Sequence, residues 1–180
     1  PALSATQMQA MLRVAFRLGA DLDEAYMQVN NQLDEDLPDD RFITAFMGFL
    51  DTETHEVEYH SGGQGPILHF RASGLECDWH KPTSFPVGVM PLDGSDRAAS
   101  LTLEPGDILA LISDGVYEYE AEDGSQFGEE RVAEIMRAYH DRPMSELTQK
   151  LVEAAQAFGG DAPQADDVTV VLVRRLPTNG

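Results

Sequence analysis

The chain has 180 residues, 42% of them hydrophobic, so it can bury a core of its own, and no apolar stretch approaches the roughly 20 residues that a membrane helix needs. Thirty-two Asp and Glu against 12 Lys and Arg leave a formal net charge of −20, which repels phosphate backbones, argues against nucleic acid as a partner and attracts cations. A single cysteine, Cys77, excludes an internal disulfide and fits a reducing cytoplasm; no basic start followed by an apolar block marks a secretory leader.

Residues 1–19 read as a helix, with Met8, Leu12, Ala15 and Phe16 on one face and Gly19 at its stop. Residues 21–36 read as a second helix, opened by Asp21 and Glu24 at capping-box spacing and striped by Ala25, Val29 and Leu33. The texture then turns to strands. FITAFMGFLD (42–51), HEVEYH (55–60), ILHFR (67–71) and LECDWH (75–80) predict an antiparallel meander, with turns at DTETH and SGGQGP. RAASLTL (97–103) and DILALIS (107–113) predict two more strands, joined by the turn Glu104-Pro105-Gly106-Asp107.

Two helices follow. The first, over 128–140, places Val132, Ile135, Met136 and Tyr139 on one face; the second, over 143–159, begins with Pro143 and stops at Gly159-Gly160. The acidic DAPQADD leads into a last strand, VTVVLVRR (168–175), and residues 176–180 read as a frayed tail. With no internal repeat and no dividing linker, the pattern predicts one α+β domain over residues 1–175, sheet packed on sheet with helices outside.

Two apolar strands carry acids at their ends. DILALIS finishes at Asp114, and VTVVLV starts directly after Asp166-Asp167. If the two strands lie side by side and antiparallel, Asp114 and one of Asp166 or Asp167 converge on one rim. Carboxylates held that close repel unless protons or a cation intervene, and hard divalent ions take such oxygen ligands. Gly115 is read as the residue that lets the chain turn sharply at the rim.

The series FITAFMGFLD, EYHSGGQGPIL, FPVGV, LEPGDILALISDGVYE, DGSQFG and ADDVTVVLV resembles the metal-dependent protein phosphatases, the PPM or type 2C class. It is most similar to the bacterial branch of the sporulation stage II protein E and the sigma-factor-regulator phosphatases. The resemblance implies an αββα four-layer sandwich of two mainly antiparallel sheets. It implies a site of two Mn²⁺ or Mg²⁺ ions, where metal-activated water attacks phosphoserine or phosphothreonine. On those motifs Asp114 and Asp166 are expected to be catalytic metal ligands, with Gly115 and Asp167 supporting them from behind. The expected partners are a phosphorylated regulatory protein, such as an anti-sigma-factor antagonist, and an upstream sensor or receiver domain. A cytoplasmic location goes with them.

The pattern breaks at one place. The family's first metal motif, an Asp-Gly followed by a Gly-His-Gly turn into a helix starting Pro-Ala-Ala, has no counterpart here, and the chain opens PALSATQ where that helix starts. The expectation is an N-terminally truncated domain that lacks its first strands and its bridging aspartate and holds one ion or none. Its open sheet edge would be free to pair in a homodimer. An inactive phosphatase-like module that only binds a regulatory partner is the alternative. Gln64 stands where relatives often carry His. His55, His60, His69, His80 and His140 match no metal-ligand spacing and read as surface or strand histidines; Trp79 and Phe85 read as core. No arginine is assigned to phosphate, with Arg41 the candidate nearest the first strand.

Overall fold

A computed structural model describes residues 2–38, 40–160 and 166–177. The chain divides into two compact units, one made of residues 1–64 and 82–102, the other of residues 65–81 and 103–180. No helix among the described residues is long and apolar enough to cross a membrane.

The first unit holds helices α1 (Ala2–Arg17) and α2 (Leu22–Asp36) and strands β1 (Ala45–Leu50), β2 (Glu56–Gly62) and β5 (Ala99–Thr102). Helix α1 ends at a left-handed Gly19: the Ala20 N–H reaches the Ala15 carbonyl at 3.1 Å and the Gly19 N–H reaches Phe16 at 3.2 Å, a Schellman cap. Asp21 caps α2 by accepting from the Glu24 N–H at 2.8 Å, while the Glu24 carboxylate accepts from Gln28 instead of closing the box. The three strands form an antiparallel sheet in the order β1-β2-β5. Leu22, Tyr26, Val29 and Leu33 from α2 build one core with Met8, Met47 and Val87. Asn30 and Asn31, on the same helix, bond the main chain of Gly88, Met90 and Leu92 and fix that loop.

The second unit holds strands β3 (Ile67–Arg71), β4 (Glu76–His80), β6 (Ile108–Ile112) and β7 (Val170–Arg174), and helices α3 (Asp114–Tyr117), α4 (Gly128–Tyr139) and α5 (Met144–Gly159). Its antiparallel sheet runs β4-β3-β6-β7. Strand β6 is interior, paired to β3 on one side and β7 on the other, which is why its sequence is apolar on both faces. Leu68, Phe70, Ile108, Ala110 and Ile112 from the sheet pack with Val132, Met136, Leu147 and Leu151 from α4 and α5.

The α+β class with two antiparallel sheets is present, but the four-strand meander is not. β1 and β2 belong to one sheet and β3 and β4 to the other. The free edge of β2 is taken by β5, with Val57 opposite Leu101, so β3 finds β6 instead, with Leu68 opposite Ala110. The Glu104–Asp107 turn forms as expected, yet the strands on its two sides join different sheets. Within the turn, the buried Asp107 carboxylate accepts from the N–H groups of Glu104 and Ala72 and from His69 Nε2 at 2.9 Å. Phe85, expected in the core, is 68% exposed; its neighbour Val87 fills that place through its bridge to Ile43.

Candidate active site

Strands β6 and β7 are antiparallel neighbours whose last pair is Ile112 and Val170. Just past it the chain leaves β6 through Ser113 and enters α3 at Asp114; on the other side it arrives through Asp166 and Asp167. One side chain holds these two segments together. The Ser113 N–H donates to the Thr169 carbonyl at 2.9 Å, Ser113 Oγ donates to the Asp167 carbonyl at 3.0 Å, and the Thr169 N–H donates to Ser113 Oγ at 2.9 Å.

Each candidate carboxylate is oriented by the N–H that follows it. Asp114 Oδ1 accepts from Gly115 at 2.9 Å, and Asp166 Oδ1 accepts from Asp167 at 2.7 Å. Asp167 acts through its main chain: its carbonyl takes Ser113 and its N–H takes Asp166, while its side chain is exposed.

Gly115 is required for a reason other than a sharp turn. It lies inside α3, outside the left-handed region, and a Cβ built on it would run into the Asp167 carbonyl. The two segments come this close because that position has no side chain.

Asp114 and Asp166 line one cleft of about 230 Å³, whose wall also includes Gly115, Glu118, Tyr119 and Glu120. Glu118 and Glu120 are exposed acids that line this cleft. A usable signal for Glu118 was its place one helical turn after Asp114, where the Glu118 N–H bonds the Asp114 carbonyl at 2.7 Å.

Among the described residues no group of three or more His, Cys, Asp or Glu side chains forms a closed metal cage. The cleft instead offers hard carboxylate oxygens that are exposed to water, a donor set that fits a hydrated Mg²⁺ or Mn²⁺ better than a buried structural ion. The histidines lie elsewhere. His60 is buried in the first unit, stacked on Tyr26 at 4.3 Å, with Nε2 donating to Asp23 at 2.8 Å. Arg41 sits exposed on the turn before β1, and Trp79 packs edge-on to Tyr117 in the core of the second unit.

Several solved structures share this fold. The SiaA-PP2C domain of Pseudomonas aeruginosa superposes with a TM-score of 0.79 at 21% identity, over 96% of this chain and 69% of that one. The RsbU and RsbW domains of Rv1364c from Mycobacterium tuberculosis give 0.76 at 24% identity, over 99% of this chain and 49% of that one. The manganese-presoaked phosphatase domain of the Bacillus subtilis cell fate determinant SpoIIE gives 0.64 at 19% identity, over 98% and 74%. Among curated proteins, Protein IcfG of Synechocystis sp. (strain ATCC 27184 / PCC 6803 / Kazusa) is 28% identical over 134 residues, which are 74% of this chain and 21% of IcfG. The chain thus spans about a fifth of that relative and about half of the M. tuberculosis chain.

The fold is that of the PP2C-type phosphatase domains. The chain belongs to the stage II sporulation protein E (SpoIIE) family, whose model matches residues 1–176.

Proposed function

We propose that this chain is a protein serine/threonine phosphatase domain, the output part of a larger cytoplasmic signalling protein. Its substrate is a phosphoserine or phosphothreonine on a regulatory protein such as an anti-sigma-factor antagonist. The carrying observation is the convergence of Asp114 and Asp166, far apart in sequence, on one cleft at the ends of β6 and β7. Membership of the SpoIIE family supports the same reading.

The acids of the cleft repel a phosphate dianion, so substrate entry depends on a counter-cation. Asp114 and Asp166 are the residues that would hold it, with Mn²⁺ or Mg²⁺ as the ion. A divalent ion bound there neutralises charge on the phosphoryl oxygens and acidifies a bound water. The chain's own part is preorganisation. Ser113 fixes the spacing of the two segments, and the N–H groups of Gly115 and Asp167 aim the two carboxylates before substrate arrives.

The test is Mn²⁺-dependent release of phosphate from a phosphoserine peptide by the full-length protein. Asp114→Asn and Asp166→Asn are each expected to lower kcat/KM by at least about 100-fold, as loss of a metal-ion contribution of several kcal/mol requires. A wild-type rate in Asp114→Asn would remove that residue from the site. Partner binding without any turnover would point to the inactive module instead.

A further inference from the structure

We propose that Tyr119 is a specificity-determining residue. Its ring is the wall of the Asp114–Asp166 cleft against which the side chain next to the phosphorylated residue packs, and Glu120 beside it selects a lysine or arginine there. The proposal rests on the phosphatase reading above and deepens it.

The main chain at Tyr119 is pinned close to Asp114. Its N–H donates to the Val116 carbonyl at 3.3 Å, at the end of the short helix that Asp114 opens. Its carbonyl accepts from the Phe127 N–H at 2.9 Å, Glu120 bridges Gln126, and the Ala121 N–H donates to the Ser125 carbonyl at 2.9 Å. Residues 119–127 therefore form a closed loop whose base borders the cleft.

The ring is fixed as well. Its edge lies against Gly159, the last residue of α5, where an added Cβ would overlap ring carbons. Packing against the core of the second unit holds the ring half-buried, and the same residue lines the cleft. An aromatic held from behind by a helix end and open in front to the cleft has little freedom to turn away.

A cleft of about 230 Å³ holds a phosphoryl group and one neighbouring side chain rather than a length of peptide. The sign of that side chain follows from the wall. Glu118 and Glu120 are exposed carboxylates in a chain of net charge −20, so an acidic neighbour is repelled. A lysine or arginine lays its stem on the tyrosine face and its charged head toward Glu120, joining a cation–π contact to an exposed ion pair.

The experiment uses two phosphoserine peptides that differ only in an Arg or a Glu next to the phosphoserine, with Mn²⁺ present. It also uses the same pair as non-hydrolysable phosphonates in calorimetric titration. Wild type is expected to favour the Arg peptide by about 5–20-fold in kcat/KM and in phosphonate affinity, the combined size of those two contacts. Tyr119→Ala should lower the preference, through KM, to what the Glu120 charge alone supplies, Tyr119→Phe should keep it, and Glu120→Lys, on an exposed side chain, should invert it. An unchanged Arg-to-Glu ratio in Tyr119→Ala and Glu120→Lys overturns the proposal, as does an equal loss of kcat on both peptides. If wild type hydrolyses neither peptide, the phosphatase reading fails, and the phosphonate affinities alone decide Tyr119: equal binding of the two peptides overturns it.

Discussion

Ser113 and Thr169 are bonded twice, once through the Ser113 N–H to the Thr169 carbonyl and once through the Thr169 N–H to Ser113 Oγ, each at 2.9 Å. A hydroxyl can donate once and accept as well, and this one uses both capacities, since it also donates to the Asp167 carbonyl. It continues the β6–β7 ladder one step past the last paired strand residues and sets where the loop bearing Asp166 lies. Ser113→Ala should cost about 1 kcal/mol of stability, the usual net worth of partly exposed hydrogen bonds. It should also weaken Mn²⁺ binding several-fold, whereas Ser113→Thr retains both. Urea denaturation and calorimetric Mn²⁺ titration measure the two effects separately. Mn²⁺ affinity unchanged in Ser113→Ala would mean that Asp166 is placed without the tether.

Gly115 is the steric counterpart of that tether. Because its missing Cβ would overlap the main-chain carbonyl of Asp167, the strain cannot be relieved by a side chain swinging aside. Gly115→Ala should destabilise by about 1–3 kcal/mol through overpacking and push the Asp166 loop away from Asp114. Thermal melts read the first effect and Mn²⁺ affinity the second. A fully stable Gly115→Ala protein would show that this contact is looser than the geometry indicates.

Much of this was legible in the sequence because it is local. The stripe Ala25, Val29, Leu33 and the stop at Gly19 are set within one or two turns of chain and form as read, while of the box at Asp21 and Glu24 only the Asp21 cap forms. The apolar character of residues 108–112 marked an interior strand. The sheet membership of β2 and β3 was not legible, since the choice between a meander and two sheets depends on β5 and β6, some forty residues downstream, competing for their edges. At the candidate site the strand-end positions pointed to Asp114 and one of Asp166 or Asp167, and the family resemblance chose Asp166, but the reason for Gly115 and the work of Ser113 were missed. Both depend on the Asp167 carbonyl, which sequence spacing does not place. The part-buried pair His60–Asp23 and the buried pair His69–Asp107 were missed likewise, being contacts across 37 and 38 residues.

Asp23 predicts an acid response. Burial raises its pKa, but the Ala98 N–H, the His60 bond and charge, and the Arg97 guanidinium outweigh this and hold the carboxyl below the ordinary aspartate value. A depressed carboxyl pKa stabilises the fold above the unfolded value of ~3.9, and that stability is lost as pH falls through the lowered folded value. Denaturant midpoints of wild type and Asp23→Asn between pH 5 and 2.5 should therefore converge toward the acid end. A gap that stays constant across that range would mean the carboxylate's charge is not what α2 gains from His60 and residues 97–98.

Tyr117 predicts the opposite sign, in alkali. The ring lies in the core of the second unit, edge-on to Trp79 at 5.8 Å, and among the described residues its buried hydroxyl has no hydrogen-bond partner. Burial, with Glu129 and Cys77 adding to it, pushes the phenol pKa up. An unpaired buried hydroxyl costs about 1–3 kcal/mol of desolvation, so Tyr117→Phe should be neutral or stabilising, while Tyr117→Ala opens a cavity and should cost about 3–5 kcal/mol. The pH dependence separates the hydroxyl from the ring. With its folded pKa raised, the neutral phenol contributes stability that is present below the unfolded value of ~10 and is lost as pH climbs from there toward the folded one. Wild type should lose stability between pH 9.5 and 11 more steeply than Tyr117→Phe, by up to about 1.4 kcal/mol per pH unit. Parallel alkaline limbs for the two proteins would mean that the hydroxyl reaches water in the folded state, and a Phe variant less stable by more than about 1 kcal/mol at pH 7 would mean that it is bonded in solution, as a net hydrogen bond of ordinary strength would be.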